Sequence, residues 1–357
     1  MTHPRPTLAD VAAEAGVSVS TASLAFSGAG PIASATRDRV LAAATRLAYA
    51  GPNPLGQQLR SGRSGIVGVV VGDRLRRSFR DPVSTQMLDG LAQALSEQSL
   101  GLLLVPSEAG EVPPLLRHTA MDAAVVVLAN GPDDGVVLAL TRRGIPVVSV
   151  EGEIGDDPAR PGSATVNVGI DDRGGTELLV RELTLLGHRR FGVVSLPWGH
   201  DRRLGQPDAD AGTRAGYAHT RRRLAGIADA GVVPDLVVET PASLVEHGRS
   251  AGHQILDRPD RPTAVVALSD LLASGVVLAA RELGLRVPQD VSVAGFDGIE
   301  LPWLAPDVLT SVRQPLADKG RLAGEAAVEL AAGRPVTGTV LPVELQLGTT
   351  TGPPPAG

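Results

Sequence analysis

From Ile66 onward the chain alternates short, continuous β-branched runs with segments of helical character, and that alternation limits it to few architectures. The candidate strands are 66–71, 102–105, 123–128, 146–150, 191–196, 235–239, 263–268 and 291–295. Runs such as IVGVVV and AAVVVL are apolar at every position rather than at every second one. That is the pattern of strands covered on both faces. Helical segments lie between them, near 84–98, 135–143, 174–186, 212–224, 243–257 and 270–283. Buried strands alternating with helices mean parallel sheets with helices on both sides. About 295 residues of this texture suit two doubly wound α/β subdomains. Ligands of such sheets sit outside the carboxyl ends of the strands, so the cleft between the two is the expected pocket.

The first 65 residues read differently. Thr7 and Asp10 form a capping pattern, and Leu8, Val11, Ala12 and Ala15 then share one helical face. Gly16 can end that helix with a positive φ. Ser18 is placed to cap a second helix with Ala22, Ala25 and Phe26 inward. Ser34 is placed to cap a third with Val40, Ala44, Leu47 and Ala48 inward. Gly51-Pro52-Asn53-Pro54 breaks the pattern, 55–60 has room for one or two helical turns, and Ser61-Gly62-Arg63-Ser64-Gly65 is a flexible joint. The expected division is a head over 1–50 and a hinge over 51–64. A first core subdomain then takes 65–165 plus 315–337, and a second takes 166–314 plus 338–352.

Charge follows the same division. The whole chain carries −6, yet residues 1–65 hold six arginines (5, 37, 39, 46, 60 and 63) against Asp10, Glu14 and Asp38. A basic head on an acidic body fits a local polyanion-binding module, though a window this small can reach that balance by chance. Lys319 is the only lysine, a preference for arginine that reads as compositional bias. There is no cysteine, which excludes a disulfide framework, a thiol nucleophile and a thiolate metal site. No apolar run approaches the roughly 18 residues of a membrane span, and MTHPRPTLADVAAEAG lacks a signal-peptide core. A cytoplasmic protein with no membrane partner is the expectation.

The most informative stretch is TLADVAAEAGVSVSTASLAF, residues 7–26. A helix, a tight turn at Gly16-Val17 and a second helix make a helix-turn-helix. Ala12 and Ala13 let the helices approach, and Ser18, Thr21 and Ser23 offer hydroxyls to phosphates. The exposed start of the second helix can enter a major groove. An ordinary helical hairpin has the same pattern. What separates the two is an ordered set of motifs along the chain. Residues 7–65, with TLADVAAEAGVSVSTAS, Ser34-Ala35-Thr36-Arg37 and NPLGQQLRSGRSG, resemble the head and hinge of the LacI/GalR family of transcriptional regulators. The resemblance continues through VGIDDRGG, LGHRRFGVV, RPTAVVALSDLLASG, LGLRVPQDVSVAGFD and LTSVRQP.

That resemblance implies a three-helix head and a hinge helix, followed by two subdomains of the periplasmic-binding-protein type. It implies a homodimer on a palindromic double-stranded operator, most often as a repressor, gated by a small-molecule effector that is commonly a sugar. Thr7, Leu8, Ser18, Val19, Ser20, Thr21, Ser23, Leu24, Ser27, Asn53 and Leu59 take the DNA-contacting positions. Leu59 is the leucine pressed into the minor groove, where an apolar wedge unstacks a base step. Asp81, Glu151, Trp198, Arg214, Ser269 and Asp297 take the effector positions.

The departures are informative. The position of Leu24 is commonly arginine in the family, and arginine to guanine is the commonest specific base contact. Val19 and Leu24 offer only apolar contact, for example to thymine methyls. In the pocket, Asp81-Pro82-Val83 stands where Asn-Pro and aromatics are usual. Thr213 replaces a ligand-gripping arginine, with Arg214 adjacent. Trp198 is placed to stack on a ligand face. Asp270 reads as structural, and Asp171 and Asp172 as turn and capping residues.

Enzyme chemistry has no foothold. The one G-x-S-x-G match, Gly248 to Gly252, falls inside the helical segment expected near 243–257 and not at a strand-to-helix elbow, Lys319 cannot complete a phosphate-binding loop, and the seven histidines have no metal-ligand spacing. No catalytic residue, metal ligand or cofactor is assigned. Two other readings remain: a two-lobed solute-binding protein, and a regulator that no longer responds to ligand.

Overall fold

The computed structural model describes residues 6–27, 30–51, 62–72, 75–107, 111–129, 134–152, 165–199, 203–207 and 216–355. They divide into two compact units, one ending at Gly65 and one beginning at Ile66.

The first unit holds three helices, α1 (Leu8–Ala15), α2 (Val19–Ser27) and α3 (Ser34–Arg46). Thr7 and Asp10 close a reciprocal capping box, with Thr7 N donating to Asp10 Oδ2 at 2.7 Å and Asp10 N to Thr7 Oγ1 at 3.4 Å. Gly16 ends α1 at φ 64°, which an L side chain adopts only under strain. Ser18 caps α2 through Thr21 N at 3.1 Å. The expected cap at Ser34 falls one residue off. Ala33 is the N-cap, with no side-chain cap bond, and Ser34 opens the helix. Val11, Ala12, Ala15, Ala22, Ala25, Val40, Ala43 and Ala44 form the core. Alanines dominate because three short helices must meet closely. Phe26 and Tyr49 close its rim edge to face, 5.6 Å between centroids. Arg39 Nε donates to Ala15 O at 3.0 Å, a cation on the negative end of α1.

The second unit is built on two six-stranded sheets. The first contains β1 (Ile66–Val71), β2 (Gly101–Pro106), β3 (Ala123–Val127), β4 (Val147–Val150), β5 (Thr165–Ile170) and β11 (Thr339–Leu341). Its order is β11-β5-β4-β3-β1-β2, parallel throughout. The second contains β6 (Phe191–Ser195), β7 (Leu236–Glu239), β8 (Ala264–Ala267), β9 (Ser292–Asp297), β10 (Thr310–Arg313) and β12 (Glu344–Gln346). Its order is β12-β10-β9-β8-β6-β7, parallel except for the β10–β12 pair. The sequence division at 165/166 and 337/338 therefore lies on the wrong side of two strands. β5 and β11 pair with each other, and β5 with β4, so the chain leaves the first sheet after β5.

In chain order the helices of this unit are α4 (Leu75–Ser78), α5 (Pro82–Glu97), α6 (Leu115–His118), α7 (Gly135–Thr141), α8 (Asp172–Leu185), α9 (Ala218–Asp229), α10 (Val245–Leu256), α11 (Asp270–Glu282) and α12 (Leu316–Ala331). Valines of the first sheet point alternately to two cores. Val67, Val69 and Val71 face α5 and α12, while Val70 and Val126 face α6 and α7. Each fully buried valine contributes about 1.5–3 kcal/mol. α5 and α12 cross on two glycines. A methyl at Gly90 would lie 1.9 Å from Ala317 O, and one at Gly320 the same distance from Met87 O. That close crossing brings the starts of both helices, with Asp81 and Lys319, to one end of the first sheet. Among the described residues no helix is long and apolar enough to cross a membrane.

Candidate functional site

A cavity of about 230 Å³ opens at the carboxyl ends of the strands. Its walls come from both sheets: Val71 and Gly72 after β1, Leu128 after β3, Glu151 after β4, Leu196 and Pro197 after β6, Ser269 after β8 and Asp297 at the end of β9. Three of these residues are held in positive φ, Leu128 at 62°, Glu151 at 60° and Asp297 at 134°. Such backbone strain persists only where the surroundings impose it, and it clusters at ligand sites.

Of the residues expected to bind an effector, Asp81, Glu151, Ser269 and Asp297 line this cavity together. Asp81 caps α5, accepting from Val83 N at 3.1 Å and from Ser84 Oγ at 2.8 Å. Ser269 caps α11 and accepts from Ser243 Oγ at 2.8 Å. Trp198 is not among the lining residues, a correction to its expected place. Its indole Nε1 donates to Ser195 Oγ at 2.6 Å and its backbone N to Glu239 Oε1 at 2.9 Å, so the ring is tied to its own subdomain. Arg214 lies outside the described residues.

The sequence did not disclose the groups that organise the cavity. Arg223, from α9, is buried with its Nε on Asp172 Oδ1 at 2.8 Å and its Nη1 on Leu268 O at 2.6 Å. The same Nη1 lies 3.6 Å from Asp297 Oδ1, and the guanidinium stacks 3.6 Å over the Phe296 ring. Asp172, read as a capping residue, is thus an ion-pair partner, and Asp171 alone caps α8 through Gly174 N at 2.8 Å. Lys319 is fully buried. Its Nζ donates to Glu151 Oε1 and, at 2.6 Å, to Gln314 Oε1. Gln314 Nε2 in turn donates to Asp297 Oδ1 at 2.7 Å. One chain of bonds therefore runs from Glu151, after β4, to Asp297 at the end of β9, and Arg223 links Asp297 to Asp172 at the start of α8. Arg222 adds a direct link, donating to Gly152 O at 3.2 Å.

The electrostatics follow from burial. Burial alone would raise the Glu151 carboxyl, but Lys319 and then Arg223 more than offset it and hold it at about 2. The Asp81 and Asp297 carboxyls go the other way, raised by burial. Asp297 feels Arg223 pulling down and Asp270, Asp81 and Glu151 pushing up. Asp270 is pushed up to about 6 by burial, against bonds from Ser311 Oγ at 2.6 Å and Ile299 N at 2.9 Å that fix it structurally. His219 lines the cavity as a neutral ring, lowered to about 3 by burial and then Arg223, and its Nδ1 has no hydrogen-bond partner.

The head presents the other candidate surface. At the start of α2, Ser18 Oγ lies 2.8 Å from both Ser20 Oγ and Thr21 Oγ1, so the three hydroxyls satisfy one another. Val19 stands beside them, half exposed. Ser23 and Leu24 are half-buried one turn on, and Ser27 is exposed. Thr7 is exposed at the start of α1, while Leu8 packs against the head core. Asn53 and Leu59 lie outside the described residues.

Comparison with known proteins joins these two surfaces. The model for bacterial regulatory proteins of the lacI family matches residues 7–53, and that for the periplasmic binding protein-like domain matches 180–351. An HTH-type transcriptional regulator of Mycobacterium tuberculosis is 37% identical over 98% of this chain and 98% of its own. The chain belongs to the LacI family of bacterial transcriptional regulators. Another relative, the HTH-type transcriptional regulator IpsA of Corynebacterium glutamicum, is 31% identical over 91% of each chain. A crystallised LacI-family regulator from Corynebacterium glutamicum superposes at a TM-score of 0.70 and 27% identity, covering 98% of this chain and 99% of its own. The CelR–cellobiose complex superposes at 0.66 and 27%, covering 97% and 100%. This LacI-family protein is thus a DNA-binding transcriptional regulator with a helix-turn-helix head and a periplasmic-binding-protein-like core.

Proposed function

We propose that this regulator is a repressor. In this reading it binds a palindromic operator as a cytoplasmic homodimer, and a small polyhydroxylated effector of the sugar class sets its DNA affinity from the cleft. The observation that carries the reading is the cleft itself, a cavity at the strand ends of both sheets whose polar walls are joined by one hydrogen-bonded chain. Effector binding would redistribute those bonds and so bias how the two subdomains meet. A relative of the same family, CelR, is seen with cellobiose. α2 is the reading helix, with Thr7, Ser18, Thr21, Ser23 and Ser27 supplying contacts to phosphates. Val19 and Leu24 give apolar contact to thymine methyls, and Ser20 reaches base edges. Asn53 and Leu59 complete the DNA contacts, with Leu59 as the minor-groove wedge. Asp81, Glu151, Ser269 and Asp297 are the effector ligands, joined by His219.

Selection of bound duplexes from a random pool tests the DNA side. The expected result is an enriched palindrome, as a two-fold dimer requires, with affinity falling steeply as salt rises. Failure to enrich any sequence at low salt contradicts it.

A further inference from the structure

The cleft walls are unbalanced in charge. Asp81, Glu151 and Asp297 face the cavity, and Asp172 stands directly behind Arg223. Against these four carboxyls the interior sets two bases, Arg223 and Lys319. Both are spent. Lys319 is fully enclosed on Glu151 and Gln314, and Arg223 is divided among Asp172, Leu268 O and Asp297. The lining also holds Arg77 and Asp134, one charge of each sign. Asp81 has hydrogen bonds from Ser84 and Val83 but no basic partner among the described residues. His219, 8% exposed, adds an unpartnered ring nitrogen to the same wall.

An anionic ligand would bring like charge to this wall with no basic group free to receive it, and like charges brought together disfavour binding. A neutral polyol can donate to Asp81 and Asp297, but leaves these two carboxyls, both raised by burial, without a counter-charge. An ammonium both donates and neutralises, and in a site of low dielectric the charge carries most of the gain. From this imbalance we infer that the effector is a small polyhydroxylated amine, an amino sugar or amino polyol, whose ammonium sits between Asp81 and Asp297.

The inference rests on the cleft being the effector site, and a matched panel separates the two. Titration calorimetry of the full chain would compare hexoses, pentoses and linear polyols with their amino and carboxylate counterparts, for example glucose, glucosamine and glucuronate. An amine should bind at least tenfold more tightly than its hydroxyl parent, and the corresponding acid should give no binding. Asp81→Asn keeps a side chain that caps α5, and should bring the amine's advantage down to within a factor of about three of the parent. A parent or an acid that binds as tightly as its amine overturns the amine while leaving the cleft as an effector site. An advantage that survives Asp81→Asn overturns the placement. No binding by any member of the three classes removes the effector reading and the inference with it.

Discussion

Lys319 shows what one side chain does in the cleft. Its ammonium is the near partner of a buried Glu151, so Lys319→Met leaves that carboxylate without a counter-charge. Removing one member of a buried pair costs about 3–5 kcal/mol, whereas replacing both often costs little. Urea unfolding of the core should show Lys319→Met strongly destabilised and the Lys319→Met/Glu151→Gln double variant largely restored. A double variant that loses the sum of the two single losses would mean that the pair acts independently. The acids also give the core a pH signature. Glu151, at about 2 when folded, contributes stability above its ordinary value near 4.5, lost as pH falls toward 2. Asp270 is the reverse: raised to about 6, it favours the folded state below its ordinary value, and that contribution disappears as pH rises through 6. Relative to the parent chain, Asp270→Asn should therefore gain stability between pH 4 and pH 7, read from urea midpoints across that range; a flat difference contradicts the assignment. On the head, replacing thymine by deoxyuridine at steps read by Val19 should cost about 1 kcal/mol per methyl removed. Unchanged affinity would place Val19 away from the bases.

At the scale of elements, the crossing of α5 and α12 sets where the starts of both helices, with Asp81 and Lys319, stand at the end of the first sheet. Gly320→Ala would drive a methyl into Met87 O and should cost about 1–3 kcal/mol or more, with weaker effector binding because the start of α12 moves. Unaltered stability and binding would show that the helices can separate freely. Leu59→Ala should weaken operator binding by a few kcal/mol at most while leaving the core folded, and unchanged affinity sinks the wedge. Elements also show how far the sequence could be read. The β-branched runs and the Thr7–Asp10 cap were legible because their signals are local. β5 was not, because Thr165 and Asn167 interrupt its apolar pattern. The acids at strand ends were legible by motif. Arg223 and His219 were not: both lie within the helix expected at 212–224 and described as Ala218–Asp229, but no local signal says which of its residues turn to the cavity. Lys319 carried a signal that composition disguised: a chain that uses arginine everywhere else keeps one lysine, and buries it.

For the whole molecule the central claim is that occupancy of the cleft and affinity for DNA are two sides of one equilibrium. The head and the core are separate units, so neither surface alone accounts for a ligand-dependent regulator. Linkage makes the claim quantitative. If an effector changes operator affinity by some factor, the operator must change effector affinity by the same factor, typically 5–150-fold. The measurement that tests this most directly is a reciprocal pair of titrations on one preparation: operator duplex with and without saturating effector, and effector with and without saturating operator. The account predicts shifts of at least fivefold, equal in both directions and abolished in Asp297→Asn. An effector that fills the cleft and leaves operator affinity unchanged would contradict it.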